Sequence, residues 1–177
     1  MNKIAQFMQA STDEHWSVVK LVLCYLKSII QHSLFLSSYS SVQFTAYTDA
    51  DWAGSINDRK STSGYCVFLG TNLISWSSKK QCTVARSSTE AEYRGVANAA
   101  AEVVWLQSLL RELGVSQSPP IVLCDNLGAT YLSINPIRHS RSKHVEIDIH
   151  FVRDYIANGV LNVRFVSTKH QTSRHPY

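Results

Sequence analysis

The feature that most constrains the fold lies at residues 44–54, FTAYTDADWAG, where an apolar and aromatic run ends in two carboxylates and a small-residue turn. Period-two alternation predicts a strand with Val42, Phe44, Ala46 and Thr48 on one face and Tyr47, Asp49 and Asp51 on the other. A strand that ends in carboxylates beside a glycine turn is a favourable place to hold a divalent cation. Alternation alone does not decide between Asp49 and Asp51 as the ligand.

The length of the chain allows one domain with a full core, or a domain with an appendage, because 45% of its 177 residues are apolar. Its formal charge of +4 is compatible with a nucleic-acid partner but too small to indicate one. The four cysteines are scattered without a CxxC pair, and the seven histidines show no zinc spacing with them. We therefore expect reduced thiols and no zinc.

The sequence also bears on location. No apolar run approaches the length of a bilayer span, and the N-terminus shows no signal-peptide pattern. We therefore expect no membrane association. Reduced thiols add the expectation of an intracellular protein in the cytoplasm or the nucleus.

Periodicity predicts the order of the elements along the chain. A helix at residues 13–31 is followed by a serine-rich linker, and we assign residues 1–41 to a separate domain from residues 42–177. The second domain has predicted strands at 42–51, 64–70, 73–78, 121–124 and 160–166, and predicted helices at 89–113, 126–134 and 145–158. This order, β-β-β-α-β-α-α-β, predicts an α/β fold with a mixed five-stranded sheet and helices on both faces.

Glu92 stands out in the longest predicted helix. The apolar stripe of that helix is Val96, Ala99, Val103, Leu106, Leu110 and Leu113, and extending it back by four residues reaches Glu92. A carboxylate on a buried face is costly unless it is paired or bound to a metal. Glu90 lies off the stripe and can pair with Arg94 four residues later, which is an ordinary surface arrangement.

A third carboxylate follows the apolar strand at residues 121–124, which we expect to lie parallel to the first strand. It belongs to Asp125, which precedes Asn126. Ligands of such sheets bind beyond the carboxyl ends of the central strands. Oxygen donors that converge there favour Mg²⁺ or Mn²⁺ over zinc.

At these residues the sequence resembles a known family. The segments YTDADWAG, GYCVFLG with ISWSSKKQ, SSTEAEYRG, CDN and SKHVEID are similar to the ribonuclease H domain of copia-type retrotransposon polyproteins, and the resemblance covers residues 45–170. Upstream, HWSVVKLVLCYLK resembles the thumb or connection at the end of the preceding reverse transcriptase. The resemblance implies a ribonuclease H-like fold and metal-dependent cleavage of the RNA strand of RNA–DNA hybrids, with the reverse transcriptase of the same polyprotein as a partner.

The resemblance also implies residue roles. Asp49 of YTDA, Glu92 of AEY and Asp125 of CDN correspond to the catalytic, metal-binding carboxylates, which leaves Asp51 as a structural acid of the turn. Two ions held there could activate water and stabilise the leaving oxygen of a phosphodiester. The family has a fourth carboxylate in a segment resembling QLADIFTK, where this chain has Arg174 and lacks the final helix. His170 is an auxiliary candidate for product release.

Basic and aromatic residues give further expectations. Lys79, Lys80, Arg138, Arg141 and Lys143 are candidates for contacts to nucleic-acid phosphates, or they form merely solvated basic segments. Trp52, Trp76 and Trp105 are expected in the core rather than as base-stacking surfaces.

The sequence supports two functions from different classes. The first is a hybrid-specific endoribonuclease. The second, suggested by the absent fourth carboxylate, is a catalytically degenerate fragment that only binds nucleic acid or packs against reverse transcriptase. An integrase or transposase fits less well, because those proteins place their glutamate on a later helix than the one after three consecutive strands.

Overall fold

The computed structural model describes residues 8–38, 41–135 and 145–167, and tertiary contacts divide the chain into two units, Met1–Leu36 and Ser37–Tyr177. The first unit contains helix α1 (Asp13–Ser28), which Thr12 caps by accepting a hydrogen bond from the His15 backbone N–H. None of the α1 residues is buried. The assignment of residues 1–41 to the end of a reverse transcriptase stays a prediction.

The second unit contains the five-stranded mixed sheet that the sequence predicts, in the order β3-β2-β1-β4-β5. Its strands are β1 (Phe44–Asp51), β2 (Thr62–Leu69), β3 (Asn72–Lys80), β4 (Ile121–Cys124) and β5 (Asn162–Phe165). The first three strands are antiparallel neighbours, whereas β4 lies parallel to β1 and β5 lies parallel to β4. The carboxyl ends of β1, β4 and β5 therefore meet at one edge of the sheet.

In the described part of this unit the helices are α2 (Ser88–Glu112), α3 (Leu127–Ile134) and α4 (Glu146–Ala157). The core lies between these helices and one face of the sheet, as the fully buried side chains of Phe44, Val96, Val122 and Val152 show. The predicted α2 stripe is buried at Val96, Ala99 and Val103 and partly buried at Leu106 and Leu110. At Leu113 the prediction is wrong, because Leu113 lies just beyond the helix and is exposed.

The opposite face of the sheet carries the other residues of the strand alternation. Tyr47 packs edge-on against Phe68. Across the sheet, Tyr47 pairs with Cys66 of β2, and Cys66 pairs with Trp76 of β3. Leu73 joins them around an apolar groove. Trp76 is 63% exposed, so the described residues leave much of this face open.

No helix within residues 8–38, 41–135 and 145–167 combines the length and the apolarity that crossing a bilayer requires.

Candidate metal centre

The end of β1 brings the first carboxylate to the centre of the sheet. Phe44, Ala46 and Thr48 are buried on the helix-covered face, as the alternation predicts. Asp49 is the next residue of the strand, so its side chain lies on the opposite face of the sheet, and it is exposed. In the sheet it lies opposite Gly64 of β2. Its position near the carboxyl end of a central strand is the one expected for a ligand.

The second carboxylate, Glu92, reaches the same strand end from α2. Ser87 caps this helix by accepting a hydrogen bond from the Glu90 N–H at 3.1 Å. Glu92 is only 6% exposed, and its Oε1 accepts a hydrogen bond from the backbone N–H of Ala50 at 3.1 Å. Since Ala50 directly follows Asp49, this bond ties the Glu92 carboxylate to the end of β1.

The third carboxylate comes from the parallel neighbour of β1. Cys124, the last residue of β4, pairs with Thr48, and Asp125 follows it. Asn126 then caps α3, because its side-chain oxygen accepts a hydrogen bond from the Ala129 N–H at 2.9 Å. The chain direction at Asp125 is thus fixed by a strand on one side and a capped helix on the other.

Glu92, Cys124 and Asp125 come together in the structure. Each offers one ligand atom, and these atoms all lie within 4.8 Å of one another. The Cys124 Sγ lies 3.9 Å from the Glu92 Oε2. The structure therefore brings together two of the three carboxylates that the sequence singles out and adds a thiol, so the donor set differs from the expected all-oxygen one.

Electrostatics connect Asp49 to this cluster. Burial, followed by the carboxylates of Asp125 and Asp49, raises the pKa of Glu92 to about 7, although the Ala50 N–H and the Cys124 thiol act in the opposite direction. The pKa of Asp49 is also raised, first by partial burial of its carboxyl group and then by Asp125. The Asp125 carboxylate thus acts on both Glu92 and Asp49, and Asp49 acts on Glu92.

This donor set fits a divalent cation. Glu92 is nearly buried and faces carboxylates, which makes its charged form unfavourable in the protein alone. A cation among Asp49, Glu92 and Asp125 would offset that repulsion with oxygen ligands suited to Mg²⁺ or Mn²⁺. The thiol is the one donor that these hard ions do not prefer.

Asp51 differs from Asp49 in its surroundings. A Cβ placed on Gly54 would come within 1.8 Å of an Asp51 carboxylate oxygen, so the Asp51 side chain lies directly over the glycine backbone. The next residue after Trp52, Ala53, has a φ of 54°. Glycine at position 54 leaves room for the carboxylate in this turn, which agrees with the structural role expected for Asp51.

The basic candidates lie in different settings. Lys79 is exposed at the end of β3, while the Lys80 ammonium forms an ion pair with Asp58 at 2.9 Å and donates a hydrogen bond to Ser55. The other basic candidates and the auxiliary candidate lie outside the described residues: Arg138, Arg141, Lys143 and His170. Their roles stay predictions.

The expectation that the three tryptophans lie in the core is wrong. Trp52, Trp76 and Trp105 are 49%, 63% and 58% exposed. Trp52 is held at its indole, where Nε1–H donates a hydrogen bond to the Ala85 backbone oxygen at 3.1 Å. Large aromatic residues signal burial only on average, and these three lie on faces that no described element covers.

Cys124 is the site residue that the sequence reasoning missed. The sequence predicts it only as the apolar end of a buried strand and as one of four scattered thiols. The sequence signal for Cys124 is its position directly before Asp125. Because Cys124 ends the strand, it lies next to the carboxylate that follows it. Its burial raises the pKa of the thiol to about 12.

Comparison with known proteins agrees with this architecture. No family model matches the sequence. The retrovirus-related Pol polyprotein from transposon RE2 of Arabidopsis thaliana is 52% identical over 172 residues, which are 97% of this chain and 12% of the polyprotein. The corresponding polyprotein from transposon TNT 1-94 of Nicotiana tabacum is 38% identical over 165 residues, again 12% of its length. The chain thus spans about an eighth of the curated relatives.

Solved structures show the same fold at low sequence identity. LC11-RNase H1, solved in complex with an RNA/DNA hybrid, superposes with a TM-score of 0.53 and 13% identity over 75% of this chain and 90% of that one. This likeness confirms the predicted fold class. The transposon relatives show that the chain belongs to the Pol polyproteins of copia-like retrotransposons, and the likeness to solved structures shows that its fold is the ribonuclease H-type fold.

Proposed function

We propose that this domain is a metal-dependent endoribonuclease that cleaves the RNA strand of RNA–DNA hybrids during retrotransposon reverse transcription. The observation that carries the proposal is Glu92, a buried carboxylate that is hydrogen-bonded to the strand end bearing Asp49 and has a ligand atom within 4.8 Å of one from Asp125. A structural carboxylate would have a cationic partner in such a place, whereas Glu92 faces other acids.

Asp49, Glu92 and Asp125 would hold one or two Mg²⁺ or Mn²⁺ ions. When bound, these ions supply water activation and charge stabilisation at the scissile phosphodiester. The protein positions the ligand oxygens. The Ala50 N–H holds one oxygen of Glu92, so the other oxygen stays directed toward Cys124 and Asp125. Hydrolysis would leave a 3′-hydroxyl and a 5′-phosphate.

A cavity of about 480 Å³ beside the N-termini of α2 and α3 supports a hybrid substrate. Its lining includes Arg86, Ser87, Gly128 and Arg153. Helix N-termini and arginines both favour phosphate oxygens. Arg153 is oriented by the hydrogen bond that its Nε–H donates to the Leu132 backbone oxygen at 2.9 Å. We propose that this cavity receives a backbone phosphate of the substrate.

Cleavage of a labelled RNA–DNA hybrid by the purified chain with Mg²⁺ tests the proposal. We expect Asp49→Asn, Glu92→Gln and Asp125→Asn each to lower the cleavage rate by about 100-fold or more. Asp51→Asn is the matched control and should cleave at close to the wild-type rate. A folded wild-type chain that leaves the hybrid intact would exclude the active enzyme.

The substrate contact has its own test. Arg153→Ala should weaken hybrid binding and reduce the slope of log affinity against log salt by about one, because one phosphate contact is lost. Arg164→Ala removes an equal charge from an exposed position in β5 and should leave the affinity nearly unchanged. Equal effects of the two substitutions would argue against a phosphate in this cavity.

Arg174, which stands where the family has its fourth carboxylate, favours a second function. In this case the domain binds nucleic acid without turnover. Salt-dependent hybrid binding by a chain that shows no cleavage in Mg²⁺ or Mn²⁺ would support it.

A further inference from the structure

The carboxylate cluster contains a ligand that a magnesium site does not need. Cys124 is fully buried, and its Sγ lies 3.9 Å from the Glu92 Oε2. Glu92 is itself more than nine-tenths buried, and the contact recorded for its Oε2 is this weak thiol donor. Among the described residues, the hydrogen bond to the Glu92 Oε2 comes from this thiol, which satisfies a buried carboxylate oxygen weakly, so the pair points toward a cation that could replace the proton between them.

The geometry is close to that of a soft-metal site. Zn–S and Zn–O bonds at a tetrahedral ion imply a separation of about 3.5 Å between the sulfur and oxygen ligands. The observed 3.9 Å between Cys124 and Glu92 needs only a small contraction. Asp125 supplies a third donor within 4.8 Å. Asp125 is also more exposed than the other two, which leaves an approach from its side.

We propose that Glu92, Cys124 and Asp125 form a site for a thiophilic divalent ion of the zinc and cadmium class, and that this ion excludes Mg²⁺. Thiolate ligands select such ions, and affinity for a mixed nitrogen, oxygen and sulfur site is higher for zinc than for harder divalent ions. This proposal departs from the prediction of no zinc, which rests on the spacing of histidines and cysteines along the chain and on an all-oxygen donor set without Cys124.

The binding step is a ligand exchange. The metal ion forms a bond to the Cys124 sulfur, the S–H bond breaks, and the proton leaves to solvent. No electron is transferred. Glu92 and Asp125, two of the proposed Mg²⁺ ligands, would then bind this ion, which favours tetrahedral rather than octahedral geometry. The inference of inhibition rests on the proposed nuclease function, whereas binding itself does not.

Titration of the 177-residue chain with Cd²⁺ tests the site, because a cadmium–thiolate bond absorbs in the ultraviolet. We expect one such bond per chain and a loss of Cd²⁺ affinity of at least about tenfold in Cys124→Ser and Cys124→Ala. Cys66→Ser is the matched control, since Cys66 is also a free, partly buried thiol on a strand. Cys24→Ser and Cys82→Ser remove the exposed thiols. A band that survives loss of Cys124, or no band in the wild-type chain, overturns the proposal.

A second measurement needs no cysteine substitution. Added Mg²⁺ should weaken the apparent Cd²⁺ affinity of the wild-type chain in proportion to its occupancy, and Glu92→Gln should weaken Cd²⁺ binding directly. Cadmium binding that Mg²⁺ does not affect would overturn the competition. The outcomes also separate the two proposals. A thiolate band without hybrid cleavage retains the soft-metal site and rejects the nuclease, and cleavage without a band does the reverse.

Discussion

At the scale of single residues, the charge of Glu92 makes the metal-free domain sensitive to pH. Burial and the nearby carboxylates raise the pKa of Glu92 from 4.5 to about 7. Between these values the folded protein keeps a proton that the unfolded chain releases. The free energy of unfolding must therefore fall as the pH rises through this window, and the full penalty is present above the folded-state pKa.

Glu92→Gln should remove this penalty. In EDTA, we expect the wild-type chain to lose up to about 3 kcal/mol of stability relative to Glu92→Gln between pH 4.5 and pH 8, because an amide keeps the Ala50 hydrogen bond without the charge. Urea unfolding at a series of pH values measures the difference. Added Mg²⁺ at pH 8 should stabilise the wild-type chain more than the variant. Parallel pH profiles for the two chains would contradict the assignment of this carboxylate.

The sequence could predict Glu92 but not its complete surroundings. A carboxylate on an extended apolar stripe must be buried, so helical periodicity alone gave its environment. Cys124 does not stand out in this way, because a cysteine at the end of an apolar strand fits the pattern of an ordinary core residue. Its role depends on which side chain of α2 faces it, and that is a property of tertiary packing.

At the scale of elements, α2 approaches β1 closely at Gly95. A Cβ on Gly95 would lie 2.7 Å from the Thr48 Oγ1, while the next atoms, the Ser63 Cβ and the Asp49 backbone oxygen, are at 3.6 and 3.9 Å. The Thr48 Oγ1 is buried with no recorded hydrogen-bond partner. The Thr48 hydroxyl thus limits the size of the side chain that position 95 can hold. Thr48 directly precedes Asp49.

Gly95→Ala should destabilise the domain by about 1–2 kcal/mol, since overpacking outweighs the gain of about 1 kcal/mol in helix propensity. Thr48→Ala removes the clashing oxygen, so the double variant should be more stable than the sum of the single effects by about 1 kcal/mol or more. Denaturant unfolding of the four chains measures the coupling. Asn98→Ala, at an exposed position of the same helix, is the control. Additive effects would contradict the close approach.

The bounds of two elements were predictable from local sequence patterns. The strand Ile121–Cys124 was predicted with its observed bounds, and α2 differs from its prediction by one residue at each end. The wrong predictions concern exposure. Leu113 and Trp76 have the side chains of core residues, but their burial depends on what lies above them, which local periodicity does not specify.

At the scale of the whole molecule, the second unit has a core of its own. Its buried core side chains lie between Phe44 and Val163, and no residue of α1 is buried. We therefore expect the second unit to have the same midpoint of thermal unfolding in a chain that starts at Ser37 as in the 177-residue chain. A lower midpoint in thermal unfolding would show that the first unit contributes to the stability of the second.

The domain boundary itself is open to a sharper test. Tertiary contacts divide the chain after Leu36, whereas the sequence predicts a division after residue 41. Ser37 lies between the two boundaries, and its N–H donates to the Asn72 side chain at 2.7 Å while its backbone oxygen accepts from the same side chain at 2.9 Å. These bonds connect the segment before β1 to the start of β3.

A chain that starts at residue 42 should therefore be less stable than one that starts at Ser37 by about 1–2 kcal/mol, the value of two partly exposed hydrogen bonds. Asn72→Ala should cost a similar amount in the longer chain and much less in the shorter one, because the truncation has already removed the partner. Urea unfolding of the four chains gives both differences. Equal stability of the two starting points would place Ser37 outside the folded unit and return the boundary to the one predicted from the serine-rich linker.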